Sequence, residues 1–346
     1  MQAAVLEQIN APLTVSEEVF PGDLAFGQVL VRVLVSGICG AQLQEIAGNK
    51  GNAKFVPHLL GHEGCGLVES IGLGVTRVKP GDKVVMHWRK GDGIESDFPV
   101  YQFRGKPMRS GKVTTFSEYS MVSENRLTPV PRDLSNDFCA LLGCGLSTAL
   151  SVIANDACVR PGESVMVIGL GGVGACVLKA ARLFHATPLL AADVAENKKE
   201  MLAQLGGDLF LHAGRDNFPE CLAGIGLRSG VDVIIDTSGN APAIARSLPL
   251  LAPDGRFIMI GQPLPGETVS LLDAHHLFNG DKGKTIRATQ GGLFMPSRDI
   301  PRFVRLFQSG RLDVEHLITR RIRLPEINDA IAAMRQGKEN RIVIDF

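Results

Sequence analysis

Apolar and polar positions alternate in short runs over the first part of the chain. Leu13-Thr14-Val15-Ser16 and Gln28-Val29-Leu30-Val31-Arg32-Val33-Leu34-Val35-Ser36 change character at every second residue, which predicts strands, and Pro21-Gly22 and Gly27 interrupt them. Gly37 to Ile46 reads as a turn entering a short helix. In Gly61-His62-Glu63-Gly64-Cys65-Gly66-Leu67-Val68-Glu69-Ser70-Ile71-Gly72 glycines recur inside a strand pattern, which predicts bulges and close backbone approach. Pro80-Gly81 is a turn feeding a strand that ends near Met86. From His87 to Thr115 the period dissolves into a polar stretch, predicted to be a long surface lobe or lid.

The pattern returns to strand from Phe116 to Pro131 and to helix from Asn136 to about Asn155. Between about 156 and 289 apolar runs near 164–169, 188–193, 208–211, 231–236 and 256–261 alternate with helical segments. Such alternation predicts an α/β, doubly wound parallel sheet with right-handed crossovers. Beyond Thr289 come helices around Asp299 to Gln308 and Pro325 to Arg335, then the strand Arg341 to Phe346. These last elements read as a return to the first domain.

The turn at the start of the parallel sheet carries chemistry. Val165-Met166-Val167-Ile168 enters Gly169-Leu170-Gly171-Gly172-Val173-Gly174, a helix-period segment follows, and a second apolar run ends at Asp193. In this G-x-G-x-x-G pattern Gly169 allows the tight turn, Gly171 admits a pyrophosphate, and Gly174 lets the helix pack on the sheet. The anion would sit on free N–H groups at the helix N-terminus. Asp193 accepts hydrogen bonds from a ribose and repels a 2′-phosphate, so the cofactor expected is NAD.

Composition narrows the class. With 346 residues two domains are the natural division, and 36 basic against 36 acidic side chains leave no surplus for nucleic acid or an anionic membrane. The first residues lack a basic segment followed by an apolar one, and no apolar run reaches eighteen residues, so a cytoplasmic protein is expected. Seven cysteines scattered through the chain argue against a disulfide framework.

Cys39, His62 and Cys144 are candidate metal ligands, although each taken singly reads more readily as a buried core residue. Gly37-Ile38-Cys39-Gly40, Gly61-His62-Glu63, Pro80-Gly81-Asp82-Lys83-Val84, Cys144-Gly145-Leu146-Ser147-Thr148 and the glycine-rich turn stand in the order of one family. The chain resembles the zinc-dependent medium-chain alcohol dehydrogenases over its whole length, and in particular their alcohol and glutathione-dependent formaldehyde dehydrogenase branch. The resemblance implies a GroES-like β-rich catalytic domain, residues 1–145 completed by 290–346, and a Rossmann NAD-binding domain, residues 146–289. It implies one catalytic zinc on Cys39, His62 and Cys144, the two-Cys, one-His set known from alcohol dehydrogenase. Glu63 matches a position behind the metal that ligates it transiently or forms a salt bridge. Trp88 matches a wall of the substrate pocket, Thr148 a neighbour of the nicotinamide, Lys198 a ribose contact and Arg341 a pyrophosphate contact.

Two features depart from the family. Where it has a proton-relaying hydroxyl and a carboxylate, this chain has Ala41 and Gln42, with Gln44 beyond them; loss of such partners typically weakens metal affinity or activity about 10–100-fold. His87 and His58 are candidates for the missing relay, although core or surface roles are the plainer readings. Between Cys65 and Cys139 there is no cysteine, so no structural zinc is expected.

The expected function is therefore a zinc-dependent oxidoreductase moving a hydride between NAD and an alcohol or polyol, with sugars and aminocyclitols among the candidates. Polar groups at Gln42, Gln44 and His87, beside Ala41 and Trp88, motivate the polyol. A zinc-free quinone or alkene reductase of the same superfamily and a non-catalytic nucleotide-binding protein stay open. The segment Val269 to Thr289 lies where relatives pair edge strands across a twofold axis, so a homodimer or homotetramer is expected.

Overall fold

In a computed structural model that describes residues 1–51, 53–269, 283–314 and 316–346, the alternation at Gln28–Ile38 becomes an eleven-residue strand. Val29, Val31 and Val33 point into a core with Val68, Val84, Met86 and Val122. Arg32, on the other parity, reaches outward to Glu69. This strand is the axis of the first of two compact units, Met1–Ser147 together with Phe294–Phe346.

Two sheets build that unit. The larger runs in the order Leu127–Val130, Lys83–His87, Glu63–Ile71, Gln28–Ile38, Ile342–Asp345, Arg320–Arg323, and Tyr119–Ser123 also pairs with Gln28–Ile38. The pairing of Ile342 with Ile38 and of Ile344 with Ser36 stitches the chain's last strand beside its fourth. Register shifts in Gln28–Ile38 against Glu63–Ile71 fall between Leu30 and Val31 and between Val33 and Val35, beside the glycine-rich run. There Gly66 lies so close to Arg32 that a Cβ would come within 2.5 Å of its carbonyl oxygen.

The smaller sheet corrects one sequence expectation. The stretch read as an aperiodic lobe contains the antiparallel strands Val100–Phe103 and Lys106–Ser110, joined at Arg104-Gly105 with both residues at positive φ. Tyr101, Phe103 and Met108 fill its buried face. Two-residue turns with this geometry match the twist of a hairpin. Strands of four and five residues, one preceded by Pro99 and the other containing Pro107, are too short for a period to emerge. The lobe is further tied down by Glu124, whose carboxylate accepts from the backbone N–H groups of Thr76, Arg77 and Ile94.

The second unit, Thr148–Leu293, is a six-stranded parallel sheet. Its order is Leu209–His212, Leu189–Asp193, Val165–Ile168, Val231–Asp236, Leu251–Met259, Thr285–Ala288, the doubly wound order in which ligands bind at the carboxyl ends of the strands. The fifth strand starts five residues earlier than the sequence pattern implied, at Leu251, and shifts register before Arg256. Asp254, at positive φ, and Gly255 mask its start in the sequence. Of the segment expected to pair two copies, residues 270–282 lie outside the described residues. Thr285–Ala288 forms an edge of the sheet, with all four residues exposed. No single helix among the described residues is long and apolar enough to cross a membrane.

Candidate functional site

Three turns of the first unit bring sulfur and nitrogen together. Cys39 follows the long strand and caps the helix Gly40–Ile46; His62 immediately precedes the strand Glu63–Ile71; Cys144 lies between the helices Asn136–Leu142 and Gly145–Ser151. Their ligand atoms all lie within 4.8 Å of one another. No spacing in the sequence foretold this, since 23 and 82 residues separate the three in turn.

The helix cap is built by Gln42. Its Oε1 accepts from the Cys39 backbone N–H at 3.0 Å, while its amide nitrogen faces Nδ1 of His62. The other ring nitrogen, Nε2, is buried and has no hydrogen-bond partner. That orphaned nitrogen beside two sulfurs fits zinc, which takes Cys and His ligands and keeps a fourth position for substrate in catalytic sites. A hydrogen bond from Cys144 holds Cys39 well below the usual thiol range, against its burial and with help from His62, whereas the bond to Cys39 and burial push Cys144 well above it. Burial works to lower the His62 pKa, but the Cys39 sulfur outweighs it and the net shift is upward. Metal binding to such a set releases protons.

Glu63 is absent from this convergent group. Its carboxylate accepts from Nη1 of Arg341 and, at 3.2 Å, from the Gly145 backbone N–H. Both side chains of the ion pair are sealed, at 0% and 1% exposure. Burial raises the Glu63 pKa and Arg341 opposes that rise. Gly145 is required by close approach: a Cβ there would come within 1.9 Å of Nη2 of Arg341. Thus Arg341, given to a pyrophosphate by resemblance, has a buried carboxylate as its partner in the fold, and Glu63 takes the salt-bridge alternative.

His87 takes the core reading. It is fully buried, its Nδ1 bonds the Arg89 carbonyl at 2.6 Å, and its Nε2 bonds the Thr128 hydroxyl at 2.9 Å. His58 is likewise buried, with Nδ1 on the Leu59 carbonyl. Gln42, fully buried and engaged on both ends, is equally no pocket-lining group. The polar pocket expected around Gln42 and His87 is therefore not formed by them. Trp88 donates its backbone N–H to the Gly143 carbonyl at 3.4 Å, one residue before Cys144, and its indole Nε1 is buried without a partner.

Desolvation lowers the His87 pKa to about 4. The unfolded chain, with an ordinary value near 6.5, takes up a proton that the fold refuses between these two values. Stability is accordingly complete above pH 6.5 and falls as pH drops towards 4, by about 3 kcal/mol in all. Urea unfolding followed by fluorescence of Trp88, the single tryptophan, should show this acid loss, and His87→Gln should flatten it. An unchanged acid slope in the variant would assign the loss elsewhere.

In the second unit, the glycine-rich turn has the form its sequence implied. Gly169 has φ +86°, and a Cβ on Gly174 would lie 2.1 Å from the Gly169 carbonyl oxygen. A Cβ on Gly171 would meet nothing within 4 Å. The protein itself does not need that glycine bare, which fits a cradle kept open for a ligand. Gly172 and Val173 begin the helix Gly172–Leu183, where unpaired N–H groups gather. Asp193 ends the second strand, with Oδ2 on the Leu170 N–H at 2.7 Å and Oδ1 on the Ala195 N–H at 2.9 Å. Two carboxylate oxygens retain lone pairs for further donors. Thr148 is buried in the helix Gly145–Ser151, and Lys198 is 4% exposed at the first turn of the helix Lys198–Gln204. Sequence reading missed Asp236, whose buried carboxylate accepts from Ser238 and Gly239 at the end of the fourth strand and organises the neighbouring turn.

Known proteins share both units. The model of the alcohol dehydrogenase GroES-like domain matches residues 25–132, and that of the zinc-binding dehydrogenase domain matches residues 172–309. S-(hydroxymethyl)glutathione dehydrogenase of Escherichia coli O1:K1 / APEC is 29% identical over 100% of this chain and 99% of its own. An alcohol dehydrogenase zinc-binding domain protein from Burkholderia ambifaria has a similar structure, with a TM-score of 0.91 at 25% identity, covering 100% of this chain and 98% of that one. Benzyl alcohol dehydrogenase from Acinetobacter calcoaceticus gives 0.89 at 25% identity, covering 100% and 99%.

Proposed function

This chain belongs to the zinc-binding medium-chain alcohol dehydrogenase family, whose members are oxidoreductases acting on CH–OH groups, and from that premise we propose an NAD-dependent oxidation of an alcohol or polyol at one zinc held by Cys39, His62 and Cys144. The observation that carries the proposal is the convergence of two sulfurs and one orphaned imidazole nitrogen within 4.8 Å. When bound, zinc supplies Lewis acidity to the substrate hydroxyl, and NAD supplies the hydride acceptor.

The chain's own residues do the rest. Cys39, His62 and Cys144 would hold the zinc, and a three-ligand set of this kind would leave a position open to the substrate hydroxyl. The Glu63–Arg341 pair, bonded to the Gly145 N–H, holds the backbone that follows Cys144. Trp88 is anchored by its backbone N–H to Gly143, one residue before Cys144, and in this proposal its indole walls the substrate pocket. With Ala41 at the relay position and His87 engaged in the core, the hydroxyl proton passes to water in this scheme.

The coenzyme choice rests on Asp193. Its carboxylate, fixed by two backbone N–H groups, offers remaining lone pairs to the adenosine ribose and repels a 2′-phosphate. Asp193→Ala is expected to weaken NAD binding about tenfold or more, as a lost hydrogen bond to a charged group contributes about 1.5–3 kcal/mol. It should also bring NADP binding closer to that of NAD. Titrations of both nucleotides by NADH and NADPH fluorescence check this; a natural chain that prefers NADPH refutes the assignment.

A further inference from the structure

We propose that Gln42 favours the metal-free tautomer of His62 in the Cys39–His62–Cys144 centre, by donating to its Nδ1, and thereby holds the zinc affinity of that centre down. The inference rests on the reading of that centre as a zinc site. An amide has one accepting end and one donating end. The Cys39 backbone N–H, in a residue only 7% exposed, is met by the accepting oxygen at 3.0 Å. The donating NH2 is what remains for Nδ1 of His62. The assignment follows from the network itself, since a backbone N–H is satisfied only by the oxygen.

The consequence falls on the imidazole. A neutral ring that accepts at Nδ1 carries its proton on Nε2, the nitrogen left for the two sulfurs. Ligation by Nε2 requires its lone pair, so the proton must move to Nδ1, where it meets the NH2 of Gln42. Turning the amide over relieves that conflict and creates the same one at the Cys39 N–H. Gln42 is fully buried, so solvent does not settle either donor. One donor is thus left facing another in the loaded state whichever way the amide points, whereas the metal-free state has none.

A carboxylate removes the conflict, because both of its oxygens accept. Gln42→Glu keeps the length of the side chain and serves the Cys39 N–H and the His62 Nδ1–H together. Partners of this kind typically change metal affinity about 10–100-fold, and the variant is expected to bind zinc tighter by that factor. The measurement is a competition titration of the reduced, metal-free proteins with zinc against a chromophoric chelator. Added charge alone would also tighten zinc, so a second measurement isolates hydrogen-bond polarity. Long-range proton–nitrogen spectra of the metal-free proteins should place the His62 proton on Nε2 in the natural chain and on Nδ1 in Gln42→Glu.

A proton on Nδ1 of the natural metal-free chain overturns the inference, and that measurement needs no variant to fold. Equal, tight zinc binding by both proteins overturns it too, while leaving the proposed alcohol chemistry standing. Zinc binding by neither protein removes both. Tighter binding by Gln42→Glu together with the shifted proton supports it.

Discussion

Cys144→Ala is expected to reduce zinc content from one ion per chain to nearly none and to lower alcohol turnover by at least about a thousandfold. Removing one of three converging ligands leaves Cys39 and His62, too few to hold the ion against water. Metal polarisation of the reacting oxygen contributes several kcal/mol, and each 1.36 kcal/mol is tenfold in rate. The glycine-rich turn, to which the proposal assigns the nucleotide, belongs to the other unit, Thr148–Leu293, so NADH binding should be preserved. Elemental analysis, turnover with an alcohol panel and NADH titration together make the test. Full turnover in the variant, or turnover in the natural chain indifferent to a chelator, would remove zinc from the mechanism.

The second large effect concerns stability. Glu63→Leu is expected to destabilise the unit containing the metal centre by about 3–5 kcal/mol, the usual cost of leaving one buried charge without its counter-charge. Arg341 is 1% exposed and lies against Gly145, so its guanidinium cannot turn outward without moving the helix that begins there. The double variant Glu63→Leu/Arg341→Met removes both charges and is expected to recover much of the loss, since apolar replacements of buried ion pairs are often close to neutral. Trp88 reports directly on this unit in urea unfolding, and the cycle of four proteins gives the coupling. Loss in the double variant equal to or larger than in Glu63→Leu would show that Arg341 is held by contacts other than this carboxylate.

Features that depend on neighbours along the chain were legible in the amino-acid pattern. Gly169, Gly171 and Gly174 lie within one turn, and the strand and helix flanking them have periods of their own, so the strand–turn–helix unit was legible down to the residue. The alternation at Gln28–Ile38 was equally legible, because one face is buried and a slip of one residue would expose it. The hairpin at 100–110 was not, since four-residue strands carry too little period and gain their stability from Tyr101, Phe103 and Met108 meeting strands far away in the chain.

For the metal centre the division is sharper. Sequence named Cys39, His62 and Cys144 only through likeness to a family, for nothing local requires residues so far apart to meet. Tertiary structure brings them together, by pairing the strand that ends just before Cys39 with the one that follows His62 and by letting the glycine after Cys144 pass under Arg341. It also decided the fate of groups whose chemistry is ambiguous in isolation. A histidine is placed at a surface or in the core according to what packs around it, and His87 is buried with both nitrogens engaged. An amide is a pocket group or a cap according to burial, and Gln42 is sealed between Cys39 and His62. Hydrogen-bond partners and solvent access arise only when distant segments pack, and these decided which polar residues remain available for chemistry.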